Sequence, residues 1–115
     1  PFGNLTDEQW RHMTIHSSRQ LEDGRYAMAY DPGIVENFKT LDLKDINLWS
    51  FWDNIRCPTL VLRGAFSDVL DHTDAVAMTK RGPKAQLFEF PDMGHAPALM
   101  ADDQIAVVRD WLLAD

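Results

Sequence analysis

Two short apolar runs stand out in this chain, Thr59-Leu60-Val61-Leu62-Arg63-Gly64 and Gln86-Leu87-Phe88-Glu89-Phe90, the second closed by Pro91. Runs this short, set after a proline or before a glycine or proline, suit strands buried on both faces of a parallel sheet. Between them a helix is predicted from about Thr73 to Lys80. Asp71, Thr73 and Asp74 occupy its N-terminal turn, and Gly82-Pro83 stops it. An earlier helix is predicted to begin at Asp45, with Leu48, Trp49, Phe51, Trp52 and Ile55 as its apolar members. It ends at Arg56-Cys57-Pro58. A last helix starts near Asp102 and Asp103 and places Ile105, Val108, Trp111 and Leu112 on one face. Strands alternating with helices imply right-handed crossovers and a parallel sheet. Two strands alone do not make a stable open sheet, so this βαβα unit calls for a partner or for further strands.

The first 44 residues carry weaker signals. Thr6 and Gln9 form a capping box, with Asp7 and Glu8 in the first turn, so a helix starts there. Trp10, Met13 and Ser17 share a face that is only weakly apolar, which suits a peripheral element such as a lid. The pattern fades near Asp23-Gly24. Residues 25–40 read as irregular, with a short extended piece where Tyr26, Met28 and Tyr30 alternate before Asp31-Pro32-Gly33 cuts them off.

Charge and cysteine usage narrow the function classes. Eleven Lys+Arg stand against 18 Asp+Glu, for a net charge of −7. That argues against a nucleic-acid-binding surface and against docking on an anionic membrane. Cys57 is the one cysteine in the sequence, so no internal disulfide forms, which fits a reducing cytoplasm. No apolar run approaches the roughly 20 residues that span a bilayer.

In open parallel sheets, ligands bind beyond the carboxyl ends of the strands. The loop after the first strand is Gly64-Ala65-Phe66-Ser67-Asp68. The loop after the second is Pro91-Asp92-Met93-Gly94-His95-Ala96-Pro97. One loop offers a carboxylate and the other an imidazole, at the same end of neighbouring strands. A carboxylate on one imidazole nitrogen fixes the tautomer, and the other nitrogen then serves as general base and later as general acid.

The segment from Cys57 to Asp68 resembles the part of α/β-hydrolases that ends in the triad acid. Phe88 to Pro97 resembles the part that delivers the triad histidine. In that family the order along the chain is nucleophile, acid, histidine, and Asp68 before His95 agrees with it. The resemblance covers residues 45–115 well. Residues 1–44 look more loosely like the end of a cap region returning to the core. The resemblance implies a C-terminal part of an α/β-hydrolase fold, with Asp68 and His95 as catalytic acid and histidine and with no cofactor or metal required. The family's G-x-S-x-G nucleophile elbow is absent from these 115 residues. A fragment inactive by itself is therefore expected, its parent acting through an upstream serine on a small ester or on a carbon–carbon bond of an apolar carbonyl compound. Epoxide hydrolases and haloalkane dehalogenases share the fold with an aspartate at the elbow, and these residues leave that alternative open.

The remaining residues have blander readings beside the chemical ones. Asp71 and Asp74 fit helix caps. His12 and His16, four apart, could hold a metal, but without a third ligand they read as a solvated face. His72 reads as exposed, and Cys57 as a buried, inert thiol. Trp49, Phe51 and Trp52 are expected to pack in a core rather than line a pocket. Met93, Leu99 and Met100 flank the histidine loop and are candidates for contact with an apolar substrate. A third function class is a non-catalytic module that self-associates, in the simplest case as a dimer, through the open edge of the strand at residues 59–63.

Overall fold

The computed structural model describes residues 2–39 and 47–114. The chain divides into two compact units, Leu5–Asn47 on the one hand and Pro1–Asn4 with Leu48–Asp115 on the other.

The Leu5–Asn47 unit is built from local bonds. Helix α1 (Asp7–Ser17) begins at the expected capping box: the Gln9 N–H donates to Thr6 Oγ1 at 3.2 Å, and the Thr6 N–H donates to Gln9 Oε1 at 2.9 Å. No residue of α1 is buried. His12 and His16 are exposed, with ring centroids 4.3 Å apart. Beyond α1 the chain forms a hairpin that the sequence pattern did not predict. Strand β1 (Ser18–Gln20) pairs antiparallel with β2 (Tyr26–Met28), with Arg19 opposite Ala27. The connecting turn is held by Asp23, whose carboxylate accepts the Arg25 N–H at 3.0 Å. Gly24, at φ 82°, supplies the left-handed residue the turn requires. Residues 25–40, read as irregular with a short extended piece, contain that piece as β2, and beyond it a 3-10 turn (Pro32–Val35) and a short helix α2 (Glu36–Lys39) that the pattern did not predict.

The other unit is the expected helix–strand–helix–strand–helix. The helix predicted from Asp45 appears as a single turn, α3 (Trp49–Trp52), and Asp45 itself lies outside the described residues. Strand β3 (Leu60–Gly64) pairs in parallel with β4 (Gln86–Phe90), Leu60 opposite Gln86 and Gly64 opposite Phe90. Helix α4 (His72–Met78) makes the crossover, and α5 (Asp102–Leu112) comes after the second loop. Asp71 takes the N-cap position of α4, without a capping hydrogen bond from its side chain. Val61, Ala75, Ala85 and Phe90 form the buried apolar core. Burying a phenylalanine such as Phe90 contributes roughly 2–3 kcal/mol.

Three expectations about burial are corrected. Cys57 is exposed rather than buried, because it sits in a bend before Pro58 instead of inside the strand. Phe51 is 74% exposed, since one helical turn can turn only part of its aromatic face inward. Trp49 and Trp52 pack on the segment after α4. The Trp52 indole N–H donates to the Arg81 carbonyl at 3.2 Å, and the Arg81 guanidinium stacks 4.4 Å from the centre of the Trp49 ring. Finally, β3 and β4 are not wrapped on both faces: Leu60, Leu62 and Leu87 are half-buried, and Phe88 is exposed.

Candidate functional site

Main-chain contacts lock the loops after β3 and β4 together. The Ala65 N–H donates to the Phe90 carbonyl at 2.8 Å, and the Phe66 N–H donates to the Met93 carbonyl at 3.0 Å. Gly64 makes this approach possible. A β-carbon there would overlap the carbonyl oxygens of Gly94 and Met93, so the position excludes every side chain larger than hydrogen.

This junction sets His95 beside the first loop. Its Nδ1 lies 2.8 Å from Ser67 Oγ. The same Oγ accepts the Leu70 N–H at 3.0 Å and the Val69 N–H at 3.3 Å. Asp68, next to Ser67, is exposed, and no hydrogen bond or ion pair joins it to His95 among the described residues. The structure thus brings His95 to the loop that carries Asp68, with Ser67 as the side chain it touches.

Beneath the loop lies a residue that sequence reasoning passed over. Arg63 sits inside β3 and is 5% exposed. Its Nε donates to the Leu70 carbonyl at 2.7 Å, and its Nη1 donates to the Ala65 carbonyl at 3.3 Å and to Glu89 Oε2 at 2.5 Å. The guanidinium therefore holds both ends of the 65–70 loop and the side chain of β4 at once, a use of its rigid donor fork that lysine would not match. Glu89 also meets the His72 ring nitrogen Nδ1 at 3.1 Å. The hydrogen bond from His72, and then the Arg63 guanidinium, hold the Glu89 carboxyl below the ordinary glutamate range, against the opposing effect of desolvation. The signal that could have exposed Arg63 was its charge inside an otherwise apolar run. A buried charge needs partners, and the alternate residue of the next strand, Glu89, is the evident one.

The apolar candidates separate. A groove of about 370 Å³ is lined by Leu99, Ile105, Val108, Arg109, Leu112 and Leu113. Leu99 belongs to it, whereas Met93, Met100, Asp68 and His95 do not line it. Leu99 holds φ at 54°, a left-handed conformation uncommon for a leucine, four residues beyond the histidine. Met93 is half-buried instead against Gly3. Among the described residues, no group of three His, Cys, Asp or Glu side chains is placed to hold a metal ion. No helix among them is long and apolar enough to cross a membrane.

The parallel strand–helix–strand unit, with two loops that meet at the carboxyl ends of its strands, is the C-terminal part of an α/β-hydrolase fold. The relatives agree. The chain is 33% identical over 118 aligned positions to the 3-hydroxybutyrate-oligomer hydrolase of Cupriavidus necator, a match covering 96% of this chain and 40% of that protein. A crystal structure from Rickettsia typhi, described as that of a candidate hydrolase, superposes with a TM-score of 0.81 at 34% identity, covering 96% of this chain and 37% of that one. An α/β hydrolase from Novosphingobium aromaticivorans gives a TM-score of 0.78 at 31% identity, over 95% of this chain and 39% of the other. The chain thus spans 40% or less of the length of these relatives. No protein-family model matches it.

Proposed function

We propose that the chain supplies the histidine and the acid of an ester hydrolase whose nucleophilic serine lies in the remainder of the fold. The observation that carries this reading is the main-chain junction that holds His95 against the Ser67-Asp68 loop at the carboxyl ends of two parallel strands. In the proposed reaction His95 Nε2 takes the proton of the serine hydroxyl as its oxygen adds to the ester carbonyl. It then passes that proton to the departing alkoxide, leaving an acyl-serine that water hydrolyses by the same two proton transfers. Asp68 accepts the Nδ1–H bond and stabilises the imidazolium. No cofactor enters this scheme. The name of the Cupriavidus relative points to a short hydroxyacid oligoester as the substrate class. That favours ester cleavage over cleavage of a carbon–carbon bond and over an aspartate nucleophile.

The test is hydrolysis of a chromogenic short-chain ester by the whole protein. His95→Ala is expected to lower kcat by about 10⁴-fold, and Asp68→Asn by a comparable factor through loss of the working tautomer. Unchanged turnover in His95→Ala would remove the histidine from the mechanism and with it this reading.

A second reading is supported by the sheet itself. Among the described residues β3 and β4 pair only with each other, so each keeps an edge without ladder partners. We infer that the separate chain self-associates through the edge at residues 59–63. A monodisperse monomer in light scattering at high concentration would exclude it.

A further inference from the structure

We propose that Ser67 is a positioning residue that holds His95 in the Nε2–H tautomer, a resting state that ends when Asp68 takes its place at Nδ1. The proposal rests on the reading of His95 as the general base.

The argument is a count of lone pairs. A serine hydroxyl has one hydrogen to donate and two lone pairs to accept with. Both lone pairs of Ser67 Oγ are engaged, by the Leu70 N–H at 3.0 Å and the Val69 N–H at 3.3 Å. Its hydrogen is left over, and the partner left for it is His95 Nδ1 at 2.8 Å. A ring nitrogen that accepts must present a lone pair, so the proton of the neutral imidazole sits on Nε2. That is the wrong nitrogen for catalysis. A base that takes a hydroxyl proton through Nε2 needs the lone pair there and the proton on Nδ1.

The neighbouring side chain asks for the reverse. An ionised carboxylate only accepts, so Asp68 at Nδ1 demands an Nδ1–H and leaves Nε2 free to act. Two consecutive residues of one loop therefore specify opposite tautomers of the same ring. The loop is framed for such an exchange. Arg63 pins both its ends through the Ala65 and Leu70 carbonyls, while Asp68 between them is exposed and has no hydrogen bond to His95 among the described residues. Phe66 is held on the Met93 carbonyl, so exchange needs the stretch from Ser67 to Val69 to turn, trading the Ser67 Oγ bonds for the seat of Asp68. Ser67 would thereby keep a half-buried histidine from acting as a base until the acid is seated.

The experiment uses the whole protein with ¹⁵N-labelled histidine, under conditions that keep the imidazole neutral. Nitrogen chemical shifts read the tautomer directly. In the unmodified chain, His95 is expected to show one pyridine-like Nδ1 and one protonated Nε2. Ser67→Ala is expected to move both signals towards the average of a freely exchanging ring. Ser67→Thr, which keeps the hydroxyl, should restore them, and Asp68→Asn should leave them where they were. Amide signals of Gly64 and Phe90 report whether each variant keeps the β3–β4 pairing. Should Ser67→Ala not fold, the unmodified chain decides alone, because a proton on Nδ1 there overturns the proposal. Unmoved signals in a folded Ser67→Ala overturn it equally. These readouts do not depend on turnover. A whole protein that cleaves no ester would sink the hydrolase reading and leave the tautomer result standing.

Discussion

The two units solve the problem of staying folded in different ways. In Leu5–Asn47, helix α1 has no buried residue, and the bonds that define α1, β1 and β2 join residues close in sequence: a capping box, a short hairpin, an Asp23 turn. In the unit of β3, α4, β4 and α5, the defining contacts join residues far apart, such as Arg63 with Glu89 and Phe66 with Met93. Local bonds are individually worth about 1 kcal/mol and are readily replaced by water. Long-range contacts made by buried groups leave something unsatisfied when they break. The unit that holds His95 is thus the one in which a single substitution does most damage, and substitutions at four positions rank that difference.

Gly64→Ala is expected to have the largest effect. Its methyl group meets two backbone carbonyls that cannot rotate away, so a loss of about 3 kcal/mol is expected in urea unfolding monitored by tryptophan fluorescence. A variant as stable as the parent would show that the loops can separate freely. Arg63→Met comes next. It leaves the Leu70 and Ala65 carbonyls without their donor, which costs about 2 kcal/mol in the same assay. Arg63→Lys should recover only part of it.

Thr6→Ala tests the local unit. Loss of the cap is expected to reduce stability by about 1 kcal/mol and to show as reduced helical circular dichroism. If it lowered the midpoint of the β3–β4 unit as much as Arg63→Met does, the contrast between the units would fail. The smallest effect concerns acid. The Glu89 carboxyl is held below its ordinary value of 4.5 by His72 and Arg63. Above that value the folded and unfolded carboxyls are both ionised, and the stabilisation is complete. As pH falls through it, the unfolded chain takes up the proton first, and the contribution is lost by the time the folded group is protonated. Glu89→Gln should therefore flatten the acid limb of stability against pH, measured by urea titration at successive pH values. An unchanged limb would place the acid sensitivity elsewhere, with Asp53, lowered in the same direction by Arg81, as the alternative.

How much could be read from the sequence depends on how each element is specified. Strands β3 and β4 were legible because short apolar runs between breakers have few other uses. The start of α1 was legible because a capping box is written entirely in local residues. Of the β1–β2 hairpin only the second strand was legible, from the alternation of Tyr26, Met28 and Tyr30; Ser-Arg-Gln carries no alternation of apolar and polar residues, so β1 and the pairing were not. The single turn α3 is shorter than its aromatic spacing promised, because propensity does not decide where a helix stops near a tertiary contact. In the site, His95 and Asp68 could be nominated from their loops. The contact between Ser67 and His95 could not, because it depends on how two loops cross in space. Arg63 was hidden by being averaged into an apolar run.

The crossing at Gly64 has one more consequence. The two loops are fastened through peptide groups, at Ala65 with Phe90 and at Phe66 with Met93. Fastenings of that kind do not ask which side chains the residues carry. Phe66 and Asp92, both turned to solvent, are free to drift in size and charge while the histidine's surroundings stay put, whereas the glycine is not. A rim that can be rewritten on a frame that cannot leaves the surface around the histidine open to change while the histidine itself is kept in place.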